Sequence, residues 1–207
     1  SICLSCNLHL PRTDTWEKPY DNEMAKMFWH QIPIEKACAL FYYKGHSFVS
    51  NVLYQLKYNN RPEIASDMGK LLAQEGMRIN FFDGIDGIIP IPLARSRQKE
   101  RGYNQSEEIA KGIAVLTHLP IYTDPQEPLA EQQNVEQVFE LCPKYDPSKA
   151  EASASTSSSN LSLTGKHFLV LDDVCTTGAT IIACCKTLME AEPNIHFSVL
   201  SIGWAKN

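Results

Sequence analysis

Two neighbouring acids, Asp172 and Asp173, come directly after the apolar run HFLVL. If that run is a buried parallel strand, the acids lie at its carboxyl end, where open α/β sheets bind ligands. Carboxylates only accept hydrogen bonds, so a neighbouring pair suits the vicinal hydroxyls of a ribose, directly or through a divalent cation such as Mg²⁺. The pair therefore predicts a diol-binding site and assigns both acids a catalytic role.

The five residues after Cys175 predict a phosphate-binding turn at the start of a helix; they are Thr176, Thr177, Gly178, Ala179 and Thr180. A helix start presents backbone N–H groups without intrahelical partners and the positive end of the helix dipole. Glycine lets the backbone approach a ligand closely. Hydrogen-bond donors for a phosphate beside acceptors for a diol predict a ribose 5-phosphate site. The alternative is that the acids are solvated loop residues and that the turn only caps the helix. A P-loop NTPase is excluded because no GxxxxGK[ST] stretch occurs.

A basic cluster follows the run GIIPIP in a chain whose formal net charge is −5, and it contains Arg95, Arg97, Lys99 and Arg101. Guanidinium groups match phosphate oxygens with two hydrogen bonds, so Arg95, Arg97 and Arg101 are candidate pyrophosphate ligands. An exposed, solvated loop is the alternative. Next in the chain, Asn104 and Gln105 either bind substrate or cap the helix predicted to begin at Ser106.

Strand and helix patterns alternate along the chain. Continuous apolar runs at 36–43, 83–92, 166–171 and 195–204 predict strands, and helical spacing at 47–58, 63–79, 106–119 and 178–191 predicts helices. This order predicts an α/β fold with a mainly parallel, twisted sheet flanked by helices. Residues 120–165 are rich in Pro, Ala and Ser and predict a mobile loop, in which only 134–141 looks like a strand.

Composition narrows the function classes. With 43% hydrophobic and 21% charged residues and no apolar run of membrane-spanning length, we expect a globular protein without a membrane partner. Seven cysteines, irregularly spaced, favour a reducing compartment, and we expect a cytoplasmic location. The negative charge disfavours broad adhesion to nucleic acid but leaves room for a local basic site.

The cysteines give weaker predictions. Cys3 and Cys6 form a C-x-x-C pair, which is half of a structural zinc site, so bound Zn²⁺ is an open expectation. Cys184 and Cys185 on a predicted helix are expected to pack as small apolar residues. Cys175 lies in the phosphate turn without an evident base and is expected to be incidental.

Several separated motifs carry a family resemblance. VLDDVCTTGAT resembles the phosphoribosyl pyrophosphate motif of type I phosphoribosyltransferases. Together with IPIPLARSRQKERGYNQSEEIA, LKYNNRPEIASDMGKLL and CLSCNLHLPRTD, it makes the chain similar to the competence protein F family, also described as predicted amidophosphoribosyltransferases.

The resemblance implies a type I phosphoribosyltransferase-like domain over 35–207 and a partial zinc-ribbon-like segment over 1–34, which further cysteines complete in the family. It implies binding of phosphoribosyl pyrophosphate with Mg²⁺, displacement of pyrophosphate by a nitrogen nucleophile, and a link to competence, DNA uptake or nucleotide metabolism. Competence or DNA-uptake proteins are then the expected partners, and the oligomeric state stays open.

Two departures from the family pattern keep other functions open. Thr176 stands where some purine-salvage relatives carry an Asp that assists the base, and PQEPLAEQQ before Asn134 lacks the arginine of the usual mobile hood. A lid that excludes water matters more for turnover than for binding. The alternatives are therefore a non-catalytic competence accessory that binds the sugar phosphate, or a DNA-binding module that uses the arginine cluster.

Overall fold

The computed structural model describes residues 10–45, 47–58, 61–93, 97, 100–122, 130–132, 139–141 and 163–206. Its helices are α1 (Glu23–Lys26), α2 (Phe48–Tyr58), α3 (Pro62–Met77), α4 (Gln105–Thr117) and α5 (Ala179–Ala191). Its strands are β1 (Ile34–Tyr42), β2 (Gly87–Pro90), β3 (Ala130–Gln132), β4 (Phe139–Leu141), β5 (His167–Cys175) and β6 (His196–Trp204).

Four parallel strands form the central sheet in the order β1, β6, β5, β2. Their near-continuous apolar runs follow from burial on both faces, as parallel sheets require. Ile121 makes one parallel bridge to Ile88 beyond β2, while β3 and β4 pair separately as antiparallel strands. The predicted α/β class with a mainly parallel sheet is confirmed.

Helices cover the sheet on both sides. Leu169 and Leu171 of β5 pack into the core beneath α2, α3 and α4, whereas Phe168 and Val170 face the side of α5. This alternation follows from the two-residue period of a strand. The molecule is therefore built in three layers, and both faces of β5 are committed to packing until the strand reaches its carboxyl end.

Two glycines bring α3 and α4 into close contact. A Cβ atom added to Gly69 would collide with the Ile109 carbonyl oxygen, and one added to Gly112 would collide with that of Ser66. No side chain can occupy such a space without moving the backbone. This close crossing holds the amino end of α4 against the sheet, next to the carboxyl ends of β2 and β5.

The described part of the amino-terminal region packs onto the same core. Met24 and Phe28 are fully buried with the α5 side of the sheet, and Thr15 Oγ1 accepts a hydrogen bond from Ala39 N at 3.1 Å. Cys3 and Cys6 lie outside the described residues. The zinc site and the domain boundary at residue 34 therefore stay predictions.

Several element boundaries differ from those predicted. The region before β1 contains the short helix α1, α4 begins one residue earlier than expected, and β5 continues through both acids to Cys175. Most of 120–165 lies outside the described residues, so its predicted mobility is untested. Among the described helices, none combines the length and apolarity that crossing a membrane requires.

Candidate functional site

Asp172 and Asp173 lie inside β5 rather than after it, because the strand keeps pairing with β6 up to Cys175. Val174 packs on the same side of the sheet as Leu171, three residues earlier, so the two-residue alternation shifts by one across the acids. The Asp173 N–H donates to Asp172 Oδ1 at 2.8 Å within this irregular step. The step allows two consecutive carboxylates to line one cleft.

Ser106 and Asn104 connect the start of α4 to the acids and to β2. The Ser106 hydroxyl donates to Asp172 Oδ1 at 3.3 Å. Asn104 is the N-cap of α4: its Oδ1 accepts from Ser106 N at 3.1 Å, and its Nδ2 donates to the Ile91 carbonyl at 3.0 Å. Of the two roles considered for Asn104, the structure therefore shows the capping one, and the contact of Ser106 with Asp172 is one that sequence reasoning missed.

The turn between β5 and α5 is open to solvent over most of its length. Thr176, Thr177 and Ala179 are exposed and Thr180 is half-buried, whereas Gly178 is buried. Gly178 is the N-cap of α5 with φ 73° and has no side chain with which to cap the helix. Thr177 Oγ1 accepts a long hydrogen bond from Ala179 N at 3.4 Å. The start of this 13-residue helix, where an anion is favoured, therefore lies at an exposed turn.

Gly178 also packs closely against the amino-terminal region. A Cβ atom there would lie 2.8 Å from Phe28 Cε1, a ring atom of a fully buried side chain. The left-handed φ and the close ring together require glycine at this position. Nothing in the local sequence around residue 28 signals this contact, because it joins segments 150 residues apart.

One cleft brings the acids, two arginines and the helix start together. Its lining residues are Ile91, Pro92, Leu93, Arg97, Arg101, Gln105, Ser106, Asp172, Asp173 and Thr180. Arg95 lies outside the described residues. Arg97 and Arg101 therefore line the same cleft as both acids, at the carboxyl ends of β2 and β5, and their role as pyrophosphate ligands stays a prediction.

Gln105 links the arginine side of the cleft to the fold. Its Oε1 accepts from Arg101 Nη1 at 3.2 Å, and its Nε2 lies 3.4 Å from the Leu56 carbonyl of α2. Gln105 is only 2% exposed, so its amide has little freedom. The geometry makes Gln105 a support for Arg101 at the cleft wall, and its predicted contact with substrate stays a prediction.

The thiols near the cleft are not reactive groups. Burial raises the pKa of Cys175 to about 12, and the nearby Asp172 charge adds to the effect. Burial likewise raises the pKa of Cys184 to about 12 and that of Cys185 well above its usual value. A thiol at such a pKa stays protonated near neutral pH and is a poor nucleophile, in keeping with the packing role expected for Cys184 and Cys185 and with the incidental place expected for Cys175.

The described residues contain no group of three or more His, Cys, Asp and Glu side chains arranged to hold a metal ion. Two adjacent carboxylates at an open cleft are nonetheless the donor set that Mg²⁺ uses when a substrate supplies phosphate oxygens as the other ligands. The acids therefore fit a magnesium ion that arrives with a ligand.

Comparison with known families identifies the class of protein that this sheet and cleft define. The model of the phosphoribosyl transferase domain matches residues 89–205, which is more than half of the chain and runs from β2 to the last residues of the fold. The chain belongs to this family, and the resemblance carried by the sequence motifs is confirmed.

Several individual proteins are also similar to this chain. The chain is 28% identical to the DNA utilization protein YhgH of Shigella flexneri and 27% identical to that of Escherichia coli K12, in each case over 144 residues that cover 68% of this chain. It is 28% identical to the competence protein ComFC of Bacillus subtilis over 103 residues, or 50% of this chain and 38% of that protein. The match spans 61% of the length of the two DNA utilization proteins.

Proposed function

We propose that this protein binds 5-phosphoribosyl 1-pyrophosphate together with Mg²⁺ and transfers the phosphoribosyl group to a nitrogen nucleophile. The observation that carries the proposal is the cleft in which Asp172, Asp173, Arg97, Arg101 and Thr180 meet. Groups that suit a diol, a diphosphate and a monophosphate thus border one space.

Each part of the ligand has a matching part of the site. The 5-phosphate would lie on the exposed turn 176–180 and accept hydrogen bonds from the first N–H groups of α5. The ribose hydroxyls would donate to Asp172 and Asp173. Arg97 and Arg101 would neutralise the pyrophosphate. The enclosed part of the cleft is about 120 Å³, so the ligand would extend from it over the open rim toward the turn.

In this reaction the main tasks of the protein are to orient the ligand and to stabilise charge. As the bond between ribose C1 and pyrophosphate breaks, positive charge grows on the sugar and negative charge on the leaving group. The carboxylates lie by the sugar and the guanidinium groups by the pyrophosphate, so each stabilises the charge that develops near it. Mg²⁺ held by the ligand oxygens and the acid pair would supply further neutralisation of the diphosphate.

The hydrogen bond from Ser106 supports a positioning role for this serine. Its hydroxyl donates to Asp172 Oδ1 and so fixes one carboxylate oxygen at the amino end of α4. The close α3–α4 crossing holds that helix end in place. The serine therefore restrains the orientation of the Asp172 carboxylate at the cleft.

A second candidate function, a competence or DNA-utilisation accessory that binds the ligand without turnover, is favoured by the relatives. Their names describe competence and DNA utilization. We extend that association to this chain as a proposal, with a cytoplasmic place of action. DNA binding through Arg97 and Arg101 is the remaining alternative, and it predicts affinity that falls steeply with salt.

Calorimetry with phosphoribosyl pyrophosphate and Mg²⁺, followed by a pyrophosphate-release assay, tests the proposal. We expect binding that weakens at least about 100-fold in the Asp172→Asn/Asp173→Asn variant, because two charge-assisted contacts are lost. Asp86→Asn, at the opposite end of the sheet, is the matched control and should bind normally. Binding without release would favour the accessory, and the absence of binding to the unmodified protein would refute both.

A further inference from the structure

Two side chains from a distant part of the chain lie against the turn 176–180. A Cβ atom at Gly178 would lie 2.8 Å from Phe28 Cε1, 3.1 Å from Phe28 Cζ and 3.6 Å from Met27 Cε. The edge of the Phe28 ring and the Met27 methyl group therefore pack on the backbone at the point where α5 begins. The function proposed above gives this contact no task.

Phe28 has little freedom to move. Its side chain is fully buried, in the core cluster that also contains Ile181 and Ile182 of the first turn of α5. Its carbonyl oxygen accepts hydrogen bonds from Gln31 N at 3.1 Å and from Ile32 N at 3.3 Å. Because buried side chains pack as densely as organic crystals, the ring is a fixed surface for the turn.

The segment that carries Phe28 is attached to the central sheet. On one side of Phe28, Asn22 Nδ2 donates to the Ala37 carbonyl of β1 at 2.9 Å. On the other side, the Pro33 carbonyl accepts from Phe197 N of β6 at 3.0 Å. The segment is therefore held at both ends, and the position of the ring is set by the sheet.

The turn needs such a support because it faces solvent. Thr176, Thr177 and Ala179 are exposed, and a glycine such as Gly178 has more backbone freedom than any other residue. A helix start binds an anion best when its N–H groups are already in position, since ordering them on binding costs conformational entropy. A ring that packs against Gly178 removes part of that cost before the ligand arrives.

Building on the proposed binding of a 5-phosphate at this turn, we infer that Phe28 is a positioning residue for the phosphate and that the amino-terminal region is part of the ligand site. Phe28 is buried and acts through Gly178, whose carbonyl accepts from Ile182 N of α5 at 2.9 Å. The family match covers residues 89–205, so this support comes from outside the matched domain. Because coupling between two sites is reciprocal, a bound phosphate should in turn stabilise the packing of Phe28.

Calorimetry with two partial ligands tests the inference. The probes are ribose 5-phosphate, which would occupy the turn, and pyrophosphate with Mg²⁺, which would occupy the arginine side of the cleft. Phe28→Leu should weaken ribose 5-phosphate binding about 10-fold and change pyrophosphate binding less than about 2-fold, because only the turn loses its support. Phe168→Leu, which removes a fully buried ring at the amino end of the same core cluster, is the matched control and should bind both probes normally.

A double variant separates positioning from a general loosening of the core. In Phe28→Leu/Gly178→Ala the new methyl group takes space that the ring has left. Each single substitution should weaken ribose 5-phosphate binding about 10-fold, and the double variant should also lose about 10-fold rather than the product of about 100-fold. Independent structural effects at the two positions would multiply.

Hydrogen exchange on the unmodified protein tests the reciprocal effect, and it decides the matter even where Phe28→Leu fails to fold. Ribose 5-phosphate should slow exchange of the Gln31 and Ile32 amides at least about 5-fold more than pyrophosphate with Mg²⁺ does at equal saturation, because only the first probe would bind at the supported turn. The Asp83 and Ile85 amides, at the amino end of the sheet, should respond equally to both probes.

Four outcomes would overturn the inference and leave the proposed function intact. They are unchanged ribose 5-phosphate affinity in Phe28→Leu, an equal loss in Phe168→Leu, multiplied losses in the double variant, and equal effects of the two probes on the Gln31 and Ile32 amides. Failure of ribose 5-phosphate to bind while phosphoribosyl pyrophosphate binds would also overturn it, because the turn would then not hold the phosphate. Failure of the unmodified protein to bind phosphoribosyl pyrophosphate would instead refute the proposed function, and this inference with it.

Discussion

Charged side chains gather at both ends of the central sheet, in different surroundings. At the carboxyl end, Asp172, Asp173, Arg97 and Arg101 line an open cleft. At the amino end, charged side chains bind protein groups directly: Lys166 Nζ lies 2.7 Å from Asp86 Oδ1, and the other Asp86 oxygen accepts from His167 N at 2.9 Å.

Lys36 shows the amino-end arrangement most clearly. It is a buried cation in β1, and its Nζ donates to the Phe81 carbonyl at 2.9 Å and the Asp83 carbonyl at 3.1 Å. Burial lowers the pKa of Lys36, although the charges of Glu35 and Asp83 oppose the shift. The cation holds the loop before β2 against the first strand, which is a structural task.

The difference between the two ends teaches how to separate structural from ligand-binding charges. A charge directed at backbone groups contributes to stability, whereas opposite charges around a cavity are placed for something that enters it. We therefore expect substitutions of charged side chains at the amino end to change the free energy of unfolding and those of charged side chains at the carboxyl end to change ligand affinity.

The two left-handed glycines that flank β5 should give the largest contrast. Gly165, before the strand, has φ 67° and nothing within 4 Å of the position that a Cβ would take, whereas Gly178, after it, has φ 73° and a Phe28 ring atom 2.8 Å from that position. Gly165→Ala should cost about 1 kcal/mol of stability from backbone strain. Gly178→Ala should cost about 3 kcal/mol, since ring crowding adds to strain, and should weaken ribose 5-phosphate binding. Chemical denaturation measures the loss of stability and calorimetry the loss of affinity, and equal effects at the two positions would show that Phe28 does not restrict Gly178.

The arginines should affect affinity rather than stability. Arg97→Ala/Arg101→Ala should weaken binding of pyrophosphate with Mg²⁺ about 100-fold, because each charge-assisted contact contributes about 1.5 kcal/mol or more. The melting temperature should stay within about 2 °C of the unmodified protein, as for surface substitutions. Lys166→Ala removes a cation at the other end and is the control. A similar loss of pyrophosphate affinity in that variant would mean that general charge, and not the cleft, attracts the anion.

Lys36→Met should show the reverse pattern. Two buried carbonyl groups lose their donor, so the free energy of unfolding should fall by about 2 kcal/mol. Affinity for phosphoribosyl pyrophosphate, measured where the variant is still folded, should not change. Denaturant titration measures the free energy of unfolding, and calorimetry measures the affinity. A variant as stable as the unmodified protein would show that Lys36 does not stabilise the fold.

The smallest effect should be a pH dependence at the amino end. Burial lowers the pKa of His167, with the Glu35 carboxylate opposing the shift, and His167 Nε2 lies 2.9 Å from Ser198 Oγ. Below about pH 6.5 the unfolded chain takes up a proton that the folded chain resists. The unfolded state then binds more protons, so the free energy of unfolding falls as pH falls.

We expect His167 to account for less than about 1 kcal/mol of stability between about pH 7 and pH 5.5. His167→Gln should flatten the dependence of the melting temperature on pH over this range. His30→Asn, at an exposed histidine with φ 63°, should leave the slope unchanged. A steeper slope in His167→Gln would reverse the sign argued here.

Much of the fold and part of the site followed from local patterns. The apolar runs of β1, β5 and β6 and the helical spacing of α3 and α5 are properties of neighbouring residues, so the α/β class and the turn after the acids could be predicted. Boundaries were less certain, because caps decide them: Asn104 is the N-cap, so α4 begins at Gln105 and not at Ser106.

The amino-acid sequence by itself determined that two acids, a glycine turn and a basic cluster would lie at or near the carboxyl ends of strands of one sheet. Only the tertiary structure decided that Arg97 and Arg101 share a cleft with the acids and that Phe28 supports Gly178. The physical reason is that strand and helix periodicity acts over a few residues. Strand order and the packing of distant side chains depend instead on how whole elements cover one another, which no short stretch of sequence records.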